Sequence, residues 1–213
     1  MVSSEDRRVR AKLLARKYPE SAHLLELYIQ LTLLQDDIAA NLPQDVSELA
    51  AWFPRLSALV PQIPLPPTGE AEKFFWRVVM QPYAERFRKP GEAAGSKCPS
   101  CGSKPVAGVL RGEGEGAKRA LICSLCALEW PYRRLICANC GEEDKDKLPV
   151  YVAAQIDYVR VEACDSCHNY LKSVDLTKDG FAVPEVDEIA TVALNLWAEE
   201  HGYTKIEINV LGM

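Results

Sequence analysis

The eight cysteines are the residues best suited to chemistry in this 213-residue chain. They form four Cys-x-x-Cys pairs, all in the second half: Cys98/Cys101, Cys123/Cys126, Cys137/Cys140 and Cys164/Cys167. A spacing of two residues lets both thiolates face one ion, so each pair supplies half of a tetrahedral site. Four pairs therefore predict two complete metal sites.

The gaps between the pairs indicate which pairs share an ion. They contain 21, 10 and 23 residues in chain order. Each long gap can hold a hairpin, whereas the short gap is a connector. The prediction is that site one consists of Cys98, Cys101, Cys123 and Cys126, and site two of Cys137, Cys140, Cys164 and Cys167.

Three other uses of these cysteines are less consistent with the sequence. A disulfide framework requires an oxidising compartment, and residues 1–20 have no apolar run typical of a secretory signal. A thioredoxin-type redox motif uses one Cys-x-x-Cys, not four. The run from Cys164 to His168 matches a haem-attachment pattern, but haem there would leave Cys137 and Cys140 without partners. We therefore expect a cytoplasmic protein, with His168 at the surface beside its turn.

Charge is unevenly distributed and argues against nucleic acid as a partner. Residues 1–97 carry 13 Lys and Arg against 12 Asp and Glu, whereas residues 98–213 carry 12 against 18. A divalent ion held by four thiolates adds further negative charge. Nucleic-acid-binding ribbons instead need a basic stripe that contacts phosphates. The pairs Lys118-Arg119 and Arg133-Arg134 are predicted to be solvated strand residues, and the partners to be proteins.

Helical patterns predominate before the first cysteine. An apolar stripe over residues 21–41 predicts a helix that packs against another; its members are Leu24, Leu27, Tyr28, Leu31, Leu34 and Ile38. Asp45 and Glu48 have the capping-box spacing of a second helix, which Pro54 should end or kink. A proline-rich stretch at 61–67 predicts a stiff connector. Residues 70–88 predict a third helix, kinked at Pro82, with an apolar side formed by Phe74, Phe75, Val78, Val79 and Tyr83.

The cysteine-bearing half has a shorter period, which indicates strands. Strand-like runs occur at 106–110, 120–122, 130–136, 150–153, 158–162 and 171–174. Glycine follows Cys101 and Cys140, but Ala127 and His168 follow the other two pairs, so those turns need not be of the same type.

One helix is predicted from Pro184 to His201, capped by Gly202. Its buried face should be formed by Val186, Ile189, Ala193, Leu196 and Trp197. An edge strand is predicted at 205–210. The predicted fold class is α+β, with a helical domain (1–97) that ends in a linker at 89–97, two four-cysteine modules (98–136 and 137–176), and a C-terminal helix and tail (177–213).

Several motifs resemble one known family. The run at 98–105 (CPSCGSKP), the segment at 122–130 (ICSLCALEW) and the run at 137–140 (CANC) are similar to the formate dehydrogenase accessory protein family, FdhE. The Tyr170-Leu171-Lys172 run after the fourth pair and the stretch from Gly202 to Asn209 are similar as well. The resemblance covers about 98–210 and extends weakly into 81–84. Family members carry a longer helical region before the first cysteine pair.

The resemblance implies a cytoplasmic maturation factor with two rubredoxin-like modules, which binds the catalytic subunit of formate dehydrogenase. It also implies iron in the sites, whereas four thiolates alone suit zinc equally well. No catalytic triad or paired-carboxylate motif is evident, and a closed four-thiolate site cannot activate water. A non-enzymatic, chaperone-like binding protein is therefore expected. An electron-transfer protein with rubredoxin-like iron is the alternative, and a nucleic-acid-binding zinc ribbon is a weaker one.

Overall fold

The computed structural model describes residues 2–41, 69–89, 91, 95–114 and 116–213. The predicted capping box at Asp45 and Glu48, the helix that follows it and the proline-rich connector at 61–67 lie outside the described residues, as does part of the linker at 89–97.

Three helices form the N-terminal part of the described chain. They are α1 (Ser4–Lys17), α2 (Ala22–Asn41) and α3 (Glu70–Phe87). A capping box starts α1, because the Ser3 side chain accepts from the Asp6 amide and the Asp6 carboxylate accepts from the Ser3 amide. A short 3₁₀ turn, Pro19–Ser21, joins α1 to α2, and α3 continues through Pro82.

One mixed sheet of seven strands carries all four cysteine pairs. Its strands are β1 (Pro105–Glu113), β2 (Gly116–Cys123), β3 (Glu129–Pro131), β4 (Val150–Val152), β5 (Val159–Cys164), β6 (Asn169–Asp175) and β7 (Thr204–Lys205). The order across the sheet is β3-β2-β1-β6-β5-β4, and β7 pairs with β6. Strands β1 and β6 run parallel at the centre. The hairpin of site one and the hairpin of site two therefore share one sheet.

The largest core joins the two ends of the chain. Helices α4 (Pro184–Ala190) and α5 (Val192–Glu200) follow the sheet. Leu14 of α1 and Leu25 of α2 belong to the same buried cluster as Val161 of β5. The N-terminal helices are thus packed onto the cysteine-bearing half of the chain (residues 98–213), which we call the metal-site half. The fold class is α+β, as predicted from the sequence, whereas the domain boundaries stay a prediction.

The apolar stripe predicted for α2 is partly wrong. Tyr28 and Leu31 are buried as predicted, but Leu27 and Leu34 are 48% and 49% exposed, and Leu25, outside the predicted stripe, is buried. Likewise Phe75 of α3 is 52% exposed although it was predicted to face the core. These helices contain more apolar residues than one packed face can cover, so periodicity alone misplaced the face.

The predicted C-terminal helix is two helices. Thr191 interrupts it with non-helical backbone angles (φ −99°, ψ 40°), and the break shifts the phase of the second helix. Ala193 and Leu196 are therefore exposed, and Leu194 and Ala198 are buried instead. The tail prediction is also wrong, because the strand there is only Thr204–Lys205 and its pairing with β6 is parallel.

The C-terminal tail is anchored to α4 by a buried carboxylate. Glu188 Oε1 lies 3.0 Å from Lys172 Nζ and 2.5 Å from Lys205 Nζ, and Asn209 Nδ2 donates to Glu188 Oε2 at 2.7 Å. Burial alone would raise the pKa of Glu188, but the two lysine charges lower it from 4.5 to about 2. The folded state therefore gains stability from this carboxylate above pH 4.5 and loses it as the pH falls toward 2.

We expect Glu188→Gln to destabilise the protein at pH 7 by about 3–5 kcal/mol, because the buried Lys172 loses its counter-charge. The variant should also lose less stability than the wild type between pH 4.5 and 2. Urea denaturation at pH 7 and at several values between pH 4.5 and 2 measures both effects. Glu199→Gln, at an exposed position of α5, serves as the control. The prediction would be contradicted if the free energy of unfolding fell by the same amount between pH 4.5 and 2 in Glu188→Gln and in the wild type.

Candidate metal centres

The structure gathers the eight thiols into two groups of four. One group contains Cys98, Cys101, Cys123 and Cys126; the other contains Cys137, Cys140, Cys164 and Cys167. Within each group the sulfur atoms all lie within 4.8 Å of one another. These are the groups that the gap lengths predicted, and each could hold one metal ion.

The distances between sulfurs fit a tetrahedral ion. Metal–sulfur bonds of about 2.3 Å place the sulfurs of a tetrahedron about 3.8 Å apart. In site two, Cys137 Sγ lies 3.7 Å from Cys167 Sγ, and Cys140 Sγ lies 3.7 Å from Cys164 Sγ. In site one, Cys101 Sγ lies 3.7 Å from Cys126 Sγ and 3.3 Å from Cys123 Sγ.

All four cysteine turns share one backbone feature, although the sequence left the type of two of them open. The residue after the second cysteine is left-handed in every case: φ is +76° at Gly102, +48° at Ala127, +79° at Gly141 and +52° at His168. The Gly102 and His168 amides donate back to the first cysteine's carbonyl at 2.9 and 2.8 Å. Ala127 and His168 therefore adopt a conformation that usually favours glycine.

This conformation leads to a prediction for the glycine after Cys140. Gly141→Ala should destabilise the loaded protein by about 1–2 kcal/mol, because the added Cβ meets no atom but the left-handed backbone is costly. Ala127→Gly, the reverse change at the equivalent turn, should not destabilise it by that amount. Thermal melts of the two variants in excess metal make the comparison. Equal losses would contradict the backbone explanation.

Backbone amides point at the sulfur of the first cysteine in the second and third turns. The Leu125 and Cys126 amides lie 3.4 Å from Cys123 Sγ. The Asn139 and Cys140 amides lie 3.3 and 3.5 Å from Cys137 Sγ. Such donors favour the thiolate form, which is the form that binds a metal.

Without a cation, ionisation of one thiol in a group disfavours ionisation of the others. Hydrogen bonds among the site-one thiols lower the pKa of Cys101, and the bond with Cys101 raises the pKa of Cys123 to about 12. In site two, burial raises the pKa of Cys164 to about 12. A divalent ion would supply the missing positive charge, so the donor set fits a four-thiolate metal site.

The two sites differ in exposure. In site one three cysteines are buried and Cys101 is half-buried. Site one packs into a cluster with Trp130 and Leu171, and Arg88 donates to the Cys126 carbonyl at 2.6 Å. In site two Cys140 is exposed. Site two therefore lies nearer the surface.

Several residues around the sites were missed by sequence reasoning. Arg119, predicted to be solvated, is only 6% exposed and contacts the segments next to site two. The predicted strand at 130–136 ends at Pro131, which lets Tyr132 turn and donate from its hydroxyl to the Cys137 carbonyl at 3.2 Å. Lys104, after site one, donates to Asn139 in the site-two turn at 3.2 Å. No local pattern reports such contacts between distant segments.

Two family models match the metal-site half. The model described as "FdhE, central domain" matches residues 97–134, and "FdhE, C-terminal domain" matches residues 135–211. Together they cover more than half of the chain. The chain belongs to the FdhE family.

Curated relatives agree with this assignment. An FdhE homolog from Aquifex aeolicus is 43% identical over 116 residues, which is 54% of this chain and 41% of that protein. One from Pseudomonas aeruginosa is 39% identical over 122 residues, 54% of this chain and 38% of the relative. The chain thus spans about two fifths of the length of these relatives.

A solved structure extends the similarity to the N-terminal helices. The crystal structure of the FdhE protein from Pseudomonas aeruginosa superimposes with a TM-score of 0.76 at 25% identity. The match covers 97% of this chain and 94% of that one. Separately, none of the helices in the described part of the chain is both long and apolar enough to cross a membrane.

Proposed function

We propose that this protein is a cytoplasmic, non-enzymatic accessory factor that assists the maturation of formate dehydrogenase by binding its catalytic subunit. The observation that carries the proposal is one sheet that holds two four-thiol groups and packs against a helical half, in a chain of the FdhE family. Such an arrangement offers a rigid composite surface to a protein client. The acidic balance of residues 98–213 disfavours nucleic acid as the partner.

We further propose that each group of four cysteines binds one metal ion. Iron is favoured and zinc is the alternative, since four thiolates in a tetrahedron suit both. Bound metal would supply either cross-linking of the fold or one-electron redox chemistry. The chain's own residues fix the four sulfurs through the cysteine turns and the backbone amides that point at them.

Electron transfer is the second candidate function, and the exposure of Cys140 favours it. An electron carrier needs its iron close to the surface, and site two meets that requirement better than site one does. A protein of this kind should be coloured and should bleach with dithionite. A purely structural pair of sites would work equally well with colourless zinc.

The test of the accessory role is direct binding to the client. Metal-loaded protein is mixed with a purified formate dehydrogenase catalytic subunit and analysed by size-exclusion chromatography with light scattering. We expect a stable complex, lost in Cys140→Ser and kept in Ser166→Ala, which changes an exposed hydroxyl in the same site but no thiol. Absence of a complex with the loaded wild type would contradict the proposal. Reducible iron without a complex would favour electron transfer.

A further inference from the structure

Arg119 is a buried cation on the strand that ends in site one. It lies in β2, four residues before Cys123, so the two side chains share a face of the strand. A long cationic side chain that is 6% exposed requires partners. The identity of those partners indicates its role.

The first set of partners lies in the segment that leads into site two. Arg119 donates from one terminal nitrogen to the carbonyls of Arg133 and Ile136, at 3.2 and 3.4 Å. Its guanidinium carbon lies 5.3 Å from the centre of the Tyr132 ring. The Tyr132 hydroxyl in turn donates to the carbonyl of Cys137. Arg119 therefore fixes the chain immediately before the first pair of site two.

The second partner lies in the strand that carries the other pair of site two. The other terminal nitrogen of Arg119 lies 2.6 Å from Glu162 Oε2. Glu162 is in β5, two residues before Cys164, and also accepts from Arg160 at 2.6 Å. Burial alone would raise the pKa of Glu162, but the charges of Arg119 and Arg160 keep it below its usual value. One guanidinium thus contacts both segments that present site-two cysteines.

A cavity of about 90 Å³ lies beside this contact, so the packing around Arg119 is incomplete there. Its lining includes Arg119, Arg160, Cys137 and Cys164. Arg119 Nε is buried and has no hydrogen-bond partner in the described ranges. Truncation of Arg119 would enlarge a space that is already lined by one cysteine from each pair of site two.

We propose that Arg119 is a positioning residue for site two. From the strand that ends in site one, it holds both cysteine pairs of site two in ligating geometry. This inference rests on the proposed metal sites. Residues that orient metal ligands from outside the ligand set typically change metal affinity by about 10- to 100-fold.

The test follows each site separately in the intact chain. Protein loaded with ¹¹³Cd²⁺, a thiolate-seeking probe ion, is examined by ¹¹³Cd NMR during competition with a chelator. Couplings between each cadmium ion and its cysteine Hβ protons, in ¹H–¹¹³Cd correlation spectra of the wild type, assign each resonance to its site. We expect Arg119→Met to lower site-two affinity by about 10- to 100-fold with a much smaller effect at site one. Arg111→Met is the matched control, because Arg111 forms an exposed pair with Glu129 near site one.

Two further variants separate positioning from charge and from general unfolding. Glu162→Gln should reproduce the selective loss. Arg119→Lys should restore affinity only partly, because lysine presents its donors from a single nitrogen, whereas arginine reaches the two carbonyls from one terminal nitrogen and Glu162 from the other. Equal weakening of both sites, no weakening at site two, or full rescue by lysine would overturn the proposed role of Arg119 at site two. Failure of the wild type to bind two cadmium ions would instead overturn the metal sites themselves.

Discussion

Cys140→Ser should remove one metal ion and unfold the site-two hairpin. A structural ion held by thiolates can contribute on the order of 10 kcal/mol to the folding of a small module, against about 5–15 kcal/mol for a whole domain. Because β5 and β6 also belong to the largest core, the loss should spread beyond the hairpin. Metal analysis and a thermal melt by circular dichroism measure the two effects.

The corresponding change in site one, Cys101→Ser, should have a similar effect, since site one packs with Trp130 and Leu171. Ser100→Ala and Ser166→Ala are the controls, as each alters the interior of a Cys-x-x-Cys turn without removing a thiol. A chelator should reproduce the unfolding in the wild type. Melting curves of the two cysteine variants that superimpose on the wild-type curve would show that these sites do not hold the fold together.

Asp187→Ala should separate the N-terminal helices from the metal-site half. Asp187 is fully buried and accepts from Arg10 Nε at 3.0 Å, from the Tyr158 hydroxyl at 2.9 Å and from the Val183 amide at 2.7 Å. It therefore ties α1, the turn before β5 and the start of α4 together. Loss of the carboxylate leaves Arg10 with Asp179 as its remaining ion-pair partner among the described residues, and buried pairs broken in this way cost about 3–5 kcal/mol.

Asp36→Ala provides the contrast for that prediction. Asp36 pairs with Arg8 at 2.5 Å, but its side chain is 43% exposed, and exposed pairs contribute about 0–1 kcal/mol. Urea denaturation of both variants gives the free energies of unfolding. Similar losses in the two variants would contradict a special role for Asp187.

The two groups of four thiols could be predicted from the sequence because they are set by local spacing. Two residues between cysteines define each turn, and the lengths of the gaps define the pairing of turns. The left-handed turn after Cys126 and Cys167 could not be predicted in this way, because Ala127 and His168 carry no glycine signal. There the shape of the turn overrides the residue's own preference.

Other features depend on contacts between distant segments. The parallel pairing of β1 with β6 joins two hairpins that look independent in the sequence. Likewise, the burial of Arg119 requires Glu162, which is far away in the chain. In α2, apolar residues occur on two sides of the helix, so the sequence does not show which side packs. At Thr191 the helix breaks, and the residues of α5 therefore face the core at other positions than one continuous helix would give. Periodicity cannot show which of several apolar faces finds a partner.

The measurement that tests the central claim most directly is metal content together with an absorption spectrum, on protein purified without added metal or chelator. The account predicts about two ions per folded chain, since each tetrahedral four-thiolate site takes one. Visible thiolate-to-iron bands would identify rubredoxin-like iron, and a colourless protein with two zinc ions would make the sites structural. Substantially fewer than two ions in a fully folded chain would contradict the assignment of both sites.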